Sequence, residues 1–186
     1  MKRSEDDILD ENPADNVLRA ALTGNDPAAV KLLWDRYAKG LLAYLQAMLC
    51  SLHDAEDVLQ TVFVNIVRQR HRLARARNLD AYVYRIARNE AFRLIGRRKK
   101  NEIEEPVKES WLIVSESNPE PDDLAERLQR ALEHLPQSQR EVIVMKIYGQ
   151  KTFLDIARIL ELPQNTVASR YRYGIEKLRI LLENLL

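Results

Sequence analysis

A single cysteine, Cys50, stands among 186 residues, so no internal disulfide can form. Histidine is nearly as scarce. His53, His71 and His134 lie far apart and offer neither metal-ligand spacing nor a paired acid–base arrangement. The five glycines are scattered, which excludes a glycine-rich loop for cradling phosphate. No run of about 18 apolar residues occurs, as a spanning helix needs. The opening "MKRSEDDILDENPADN" is acidic and lacks the apolar core of a secretion signal. These absences lead to the expectation of a cytoplasmic protein without membrane insertion, catalytic residues, metal or cofactor. Cys50 ends the apolar run "LLAYLQAMLC" and is expected to be a buried small hydrophobe rather than a reactive thiol.

What the chain does have is charge, unevenly placed. The formal net charge is +1, but residues 68–100 hold 12 cations against 2 acids, while residues 101–134 hold 3 against 10. Such a field steers a polyanion to one surface and repels it from another. The densest stretch is "YVYRIARNEAFRLIGRRKK", residues 82–100, with seven cations, Glu90 as its one acid, and aromatic residues mixed in.

Apolar residues recur at spacings of three and four through most of the chain, and no segment alternates strictly. The fold class predicted is all-α. A first helix is expected over 15–23. Asp26 and Pro27 are placed to start a second that runs to about Leu49 and buries Val30, Leu33, Trp34, Tyr37, Leu41, Tyr44, Leu45 and Met48. Ser51 opens the next helix with "SLHD", a capping box with Asp in place of Glu. A basic connector, "RQRHRLARARNL", leads to the helix quoted above, capped by Asn78 or Asp80. Residues 101–121 lose all period and read as a flexible acidic linker, with "WLIV" at 111–114 as a local docking element. Further helices are expected near 122–134, 137–148, 152–160 and 164–184. The chain thus divides into an acidic extension (1–24), a first helical domain (25–100), the linker (101–121) and a second helical domain (122–186).

On a helical wheel, Val83, Ala87, Ala91 and Leu94 share one face of the quoted helix. Tyr82, Arg85, Arg88, Asn89, Phe92 and Arg93 cover the other. Guanidinium groups bind phosphate and aromatic rings stack on unpaired bases, so this face suits opened nucleic acid. A solvated basic face with aromatics packed on a neighbour is the plain structural alternative. Near the C-terminus, "TFLDIARILELPQNTVASRYRYGIEKLRILL" has helix-turn-helix form. Phe153, Ile156, Ala157 and Leu160 line a short first helix. Val167, Tyr171, Ile175, Leu178 and Leu182 line a second, whose opposite face offers Gln164, Asn165, Thr166, Ser169, Arg170 and Tyr173 to a major groove.

Four stretches in order, "DAEDVLQTVF" (54–63), "AYVYRIARNEA" (81–91), "LEHLPQSQREVIVMKIYGQKTFLDIARIL" (132–160) and "LPQNTVASR" (162–170), together resemble bacterial RNA polymerase sigma factors of the extracytoplasmic-function group. The resemblance implies that Asp54, Glu56, Asp57, Gln60 and Phe63 lie on a helix that docks on the β′ clamp helices of core polymerase. It implies that Tyr82, Tyr84, Arg85, Arg88, Asn89, Arg93, Arg97 and Arg98 serve melting and capture of the −10 promoter element. The second domain would meet the β flap and read the −35 element through Gln164, Asn165, Thr166, Ser169, Arg170 and Tyr173. An anti-sigma factor is a further partner the resemblance implies, and no cofactor is.

The chain departs from that family in places. Ala168 stands where Lys is usual, Tyr173 and Ile175 where Arg is frequent, and Glu161 where a turn Gly is common. Tyr82 replaces a frequent Trp, and Thr61 a frequent Glu. Gly174 interrupts the recognition helix, a cost of about 1 kcal/mol in helix propensity. Two other readings stay open at this point: a free-standing helix-turn-helix regulator, and a sigma-like adaptor that binds polymerase without starting transcription.

Overall fold

Residues 13–24, 26–104 and 123–183 are described by the computed structural model; among them the regular segments are all helical and no strand occurs. The extension at 1–12, the "WLIV" element and most of the expected linker (105–122) lie outside the described residues.

Short side chains set the helix starts. The first helix, α1 (Pro13–Thr23), buries Leu18 and Leu22. Before α2 (Ala28–Leu49), Asp26 Oδ1 accepts a hydrogen bond from Ala28 N at 2.8 Å, with Pro27 in the opening turn. Cys50 closes α2 in a left-handed conformation, φ 54°. It is half-buried at this cap rather than sunk in the core, and burial pushes its thiol up to about 11, the behaviour of an inert thiol. Ser51 caps α3 (Leu52–Arg68) by accepting from Asp54 N at 3.3 Å.

A five-residue helix, α4 (Arg70–Ala74), occupies part of the expected connector and buries Leu73. Arg19 of α1 holds this segment by donating to Ala74 O and Ala76 O, both at 2.7 Å. Asn78, not Asp80, caps α5 (Leu79–Glu104): its Oδ1 accepts from Ala81 N at 2.7 Å. The α5 helix continues four residues past the expected boundary at 100. The first breaker in the sequence beyond it is Pro106.

The second domain comprises α6 (Asp123–Glu133), α7 (Gln137–Ile147), α8 (Phe153–Leu160) and α9 (Gln164–Glu183). Thr152 and Asp155 form a complete capping box at the start of α8. Glu161 then turns the chain in a left-handed conformation, φ 55°, into α9. The pair α8–α9 is the expected helix-turn-helix, with Ile156, Ala157, Ile159, Val167 and Leu178 buried.

The two domains share one apolar interior. Buried residues of α2, α3 and α5 run continuously into Val142, Val144, Met145, Ile156 and Val167 of the second domain. A smaller cluster, Ala131, Leu132, Leu135, Ile143 and Leu178, lies within the second domain. The stripe of α2 follows Ala29, Leu33, Tyr37, Leu41, Leu45 and Met48. Val30 and Trp34 were expected inside but point outward, Trp34 being 49% exposed. Each follows a stripe residue by one position, about 100° round the helix.

Candidate nucleic-acid interface

The strongly basic helix α5 lies against α3, and together they shape a cavity of about 280 Å³. Asn65, Gln69, Tyr82, Arg85, Ile86, Asn89 and Glu90 line it. Tyr82 enters as an anchored ring, its hydroxyl donating to Gln69 Oε1 at 3.0 Å. Asn65 Nδ2 donates to Glu90 Oε1 at 2.9 Å, which fixes the far wall. Arg93 pairs with Glu90 at 2.6 Å while staying largely exposed, and Arg97 is exposed further along. A polar recess with an aromatic side and guanidinium groups at its rim is chemically suited to an unstacked base and its phosphates. Of the lining residues, Tyr82, Arg85 and Asn89 were legible from the helical wheel. Asn65 and Gln69 were not, because they come from α3 and the cap that follows it.

Tyr84 does not join this surface. It is 3% exposed and meets Tyr44 edge-on, with ring centroids 5.7 Å apart. Burial pushes its phenol up to about 12. It follows Val83 on the inward side of α5, where a large ring fills space that Gly40 leaves. Phe92 is also drawn toward the core, and Arg88 stacks over its ring at 4.5 Å.

Arg85 and Arg88 face carboxylates of the second domain. Arg85 pairs with Glu161, and Arg88 with Glu141. A second contact joins Arg88 Nη2 to Glu141 Oε2 at 3.4 Å. Glu141 is 2% exposed, and burial raises its carboxyl above the ordinary value despite the opposing charges of Arg88 and Arg170. Beside them Lys151 Nζ reaches Asp80 Oδ2 at 2.6 Å and lies 4.5 Å from the Tyr84 ring centre. Burial pushes the Asp80 carboxyl up, but hydrogen bonds and charge from Lys151, Tyr37 and Arg36 outweigh it, so the net shift is downward.

The acidic helix α3 presents a different surface. Glu56, Asp57 and Gln60 are exposed, and Phe63 is buried beneath Trp34, with ring centroids 4.8 Å apart. Asp54 turns away to Arg98 of α5. The Ser51 hydroxyl, then Arg98, hold its carboxyl below the usual range. Arg98 is therefore tied into the first domain, apart from the cavity.

On α9, Gln164, Asn165 and Tyr173 are exposed. Ser169 is spent internally, its Oγ donating to Asn165 O and Thr166 O at 3.0 Å each. Thr166 is half-buried. Arg170 sits on the flank of this face, its charge felt at Glu141. Arg172, not singled out from the sequence, stacks over Tyr173 at 4.9 Å.

Comparison with known proteins finds two family matches along the chain. Residues 33–101 match the family described as Sigma-70 region 2, and residues 125–178 match Sigma-70, region 4. The chain is 30% identical over 174 residues to the ECF RNA polymerase sigma-E factor of Escherichia coli, covering 87% of this chain and 91% of that one. It is 28% identical over 170 residues to the ECF RNA polymerase sigma factor RpoE of Cereibacter sphaeroides, covering 88% and 91%. Its fold is shared with CnrH, solved in complex with the cytosolic domain of CnrY, at a TM-score of 0.70 and 23% identity over 92% of this chain and 98% of that chain. A second solved relative is a sigma factor RpoE in complex with the anti-sigma factor NepR from Bartonella quintana, at a TM-score of 0.59 and 22% identity over 77% and 89%.

Proposed function

The chain belongs to the extracytoplasmic-function group of sigma-70 RNA polymerase sigma factors, and from this we propose how its surfaces divide the work of starting transcription. The α3 face, with Glu56, Asp57, Gln60 and the Trp34–Phe63 pair, docks on the clamp helices of core polymerase. The α3–α5 cavity captures an unpaired base of the −10 element, with Tyr82 as its stacking wall. Arg85, Arg88, Arg93 and Arg97 hold the adjoining backbone. The exposed face of α9 reads the −35 element, with Gln164 and Asn165 toward base edges and Arg172 toward phosphate. The chain works in the cytoplasm, catalyses nothing itself, and is held in check by an anti-sigma factor.

The observation that carries the −10 assignment is the cavity joining Tyr82, Arg85 and Asn89 on the most basic helix of the chain. Opening a duplex costs about 1.4 kcal/mol per base-pair step, and stacking one captured base returns about 1–3 kcal/mol. Run-off transcription with purified core polymerase and a promoter library tests the reading. Asp57→Ala is expected to weaken association with core. Tyr82→Ala is expected to leave association intact and lower open-complex formation about tenfold. No promoter-dependent product from the unaltered chain in any holoenzyme preparation would refute the reading.

A further inference from the structure

Arg19 reaches from α1 to a segment that lies 55 to 58 positions later in the chain. Its guanidinium donates to Ala74 O and Ala76 O at 2.7 Å each, and Nη2 lies 3.5 Å from Arg77 O. These carbonyls belong to the end of α4 and to the turn that joins it to α5. Gln69, just before α4, and Tyr82, in the first turn of α5, are walls of the α3–α5 cavity and are bonded to each other. We propose that Arg19 is a positioning residue for promoter opening. It braces the turn between α4 and α5, and so sets Gln69 and Tyr82 at the separation that one captured base needs. The proposal rests on the −10 assignment of that cavity.

The braced segment has little to hold it from within. With five residues, α4 is too short to be stable by itself, and its last carbonyls have no intrahelical partner. Residues 68–77 carry Arg68, Arg70, Arg72, Arg75 and Arg77 and no acid, so mutual repulsion favours an open chain. Leu73 opposes this from the core, where it is fully buried. Arg19 opposes it from α1, which packs along α4. A guanidinium presents its donors in a rigid fork, so bonding Ala74 O and Ala76 O together fixes the path of the turn as well as its nearness. The base of the brace is firm, since Leu18 and Leu22 bury α1 and Asp15 ties it to Arg36 of α2. Arg72 and Arg75 are exposed on the held segment, which directs two more cations to the backbone of a captured strand. The Sigma-70 region 2 match begins at residue 33, so α1 lies outside it. Ala74 and Ala76 are only partly buried. Water can therefore replace a lost guanidinium there, which relaxes the turn without unfolding the domain.

The test uses the full chain with core polymerase and promoters varied across the −10 element. Arg19→Ala is expected to associate with core as the unaltered chain does. Permanganate reactivity of unpaired −10 thymines is expected to fall about tenfold, and the preference among −10 bases to flatten by about the same factor. In the free variant, amide hydrogens of residues 75–82 should exchange faster while those of α2 and α3 hold their rates. Arg19→Lys, whose ammonium can donate to both carbonyls, should recover most of the melting and of the base preference. Arg19→Gln should recover little, and it covers a failure of Arg19→Ala to fold. Unchanged melting and base preference in the folded variants overturn the positioning role. So does an equal loss at every promoter with Arg19→Lys no better than Arg19→Ala, the mark of a purely structural residue. Tyr82→Ala, run alongside, separates the two levels. If it lowers melting and Arg19→Ala does not, the brace alone falls. If Tyr82→Ala also leaves melting unchanged, the −10 reading of the cavity falls and takes the brace with it.

Discussion

Gly174 costs the recognition helix stability in isolation, yet the structure gives a reason for it. A β-carbon there would lie 2.8 Å from Ile143 Cδ1 and 3.1 Å from Gln139 Cβ, so a side chain at 174 requires Ile143 and Gln139 to shift. Gly174→Ala gains about 1 kcal/mol of helix propensity and loses about 1–3 kcal/mol to overpacking. The expected net is a destabilised second domain, measured as a lower midpoint in thermal or urea unfolding; an unchanged or higher midpoint would show that Ile143 yields easily. Trp34 makes the opposite point. Its spacing fits the core stripe of α2, but it stands half-exposed over Phe63. Trp34→Ala is expected to weaken core-polymerase binding about tenfold in a competition assay, with the size set by a ring anchor at an interface, while unfolding shifts little. Whether one large apolar residue lies at the rim or inside a helix stripe depends on the neighbouring helix. Periodicity alone carries no such information. Tyr84, which the family resemblance groups with the −10 residues, is likewise decided by its neighbours and lies buried.

Elements with strong local chemistry were readable before any coordinates. The starts of α2 and α3 follow from Asp26–Pro27 and Ser51, because capping is decided within four residues. The five-residue α4 was not readable, since one turn is too short to show a period and its hold comes from Arg19, far away in sequence. The turn between α8 and α9 is where local and distant demands conflict. A non-glycine residue in the left-handed region costs about 1–2 kcal/mol, and Glu161 stands there at φ 55°. Glu161→Gly relieves that strain and loses an exposed ion pair of the kind worth about 0–1 kcal/mol. The second domain is therefore expected to melt higher in thermal unfolding. A variant that melts lower would mean that the Arg85 pair outweighs the backbone strain.

At the scale of the whole molecule, the contact between the domains was the part the sequence concealed. Charge segregation announced a basic surface, but not that Glu141, Lys151 and Glu161 would meet it, because those pairings span 53 to 76 positions. The same contact gives folding stability a pH dependence with two opposing parts. Asp80, facing Lys151, Arg36 and Tyr37, is depressed below its ordinary value of about 3.9. Its contribution is present above that ordinary value and is lost as pH falls through the lower folded value. Glu141, facing Arg88 and Arg170, is raised above its ordinary value of about 4.3. Its contribution is fully present below that value and is lost as pH rises through the folded one. Asp80→Asn removes the first part alone. The variant is expected to be less stable than the unaltered chain at pH 6, with the gap closing as pH falls below about 3.9. Unfolding midpoints compared across pH 6 to 3 check this, and a gap that stays constant would mean that Asp80 does not stabilise the fold through its charge.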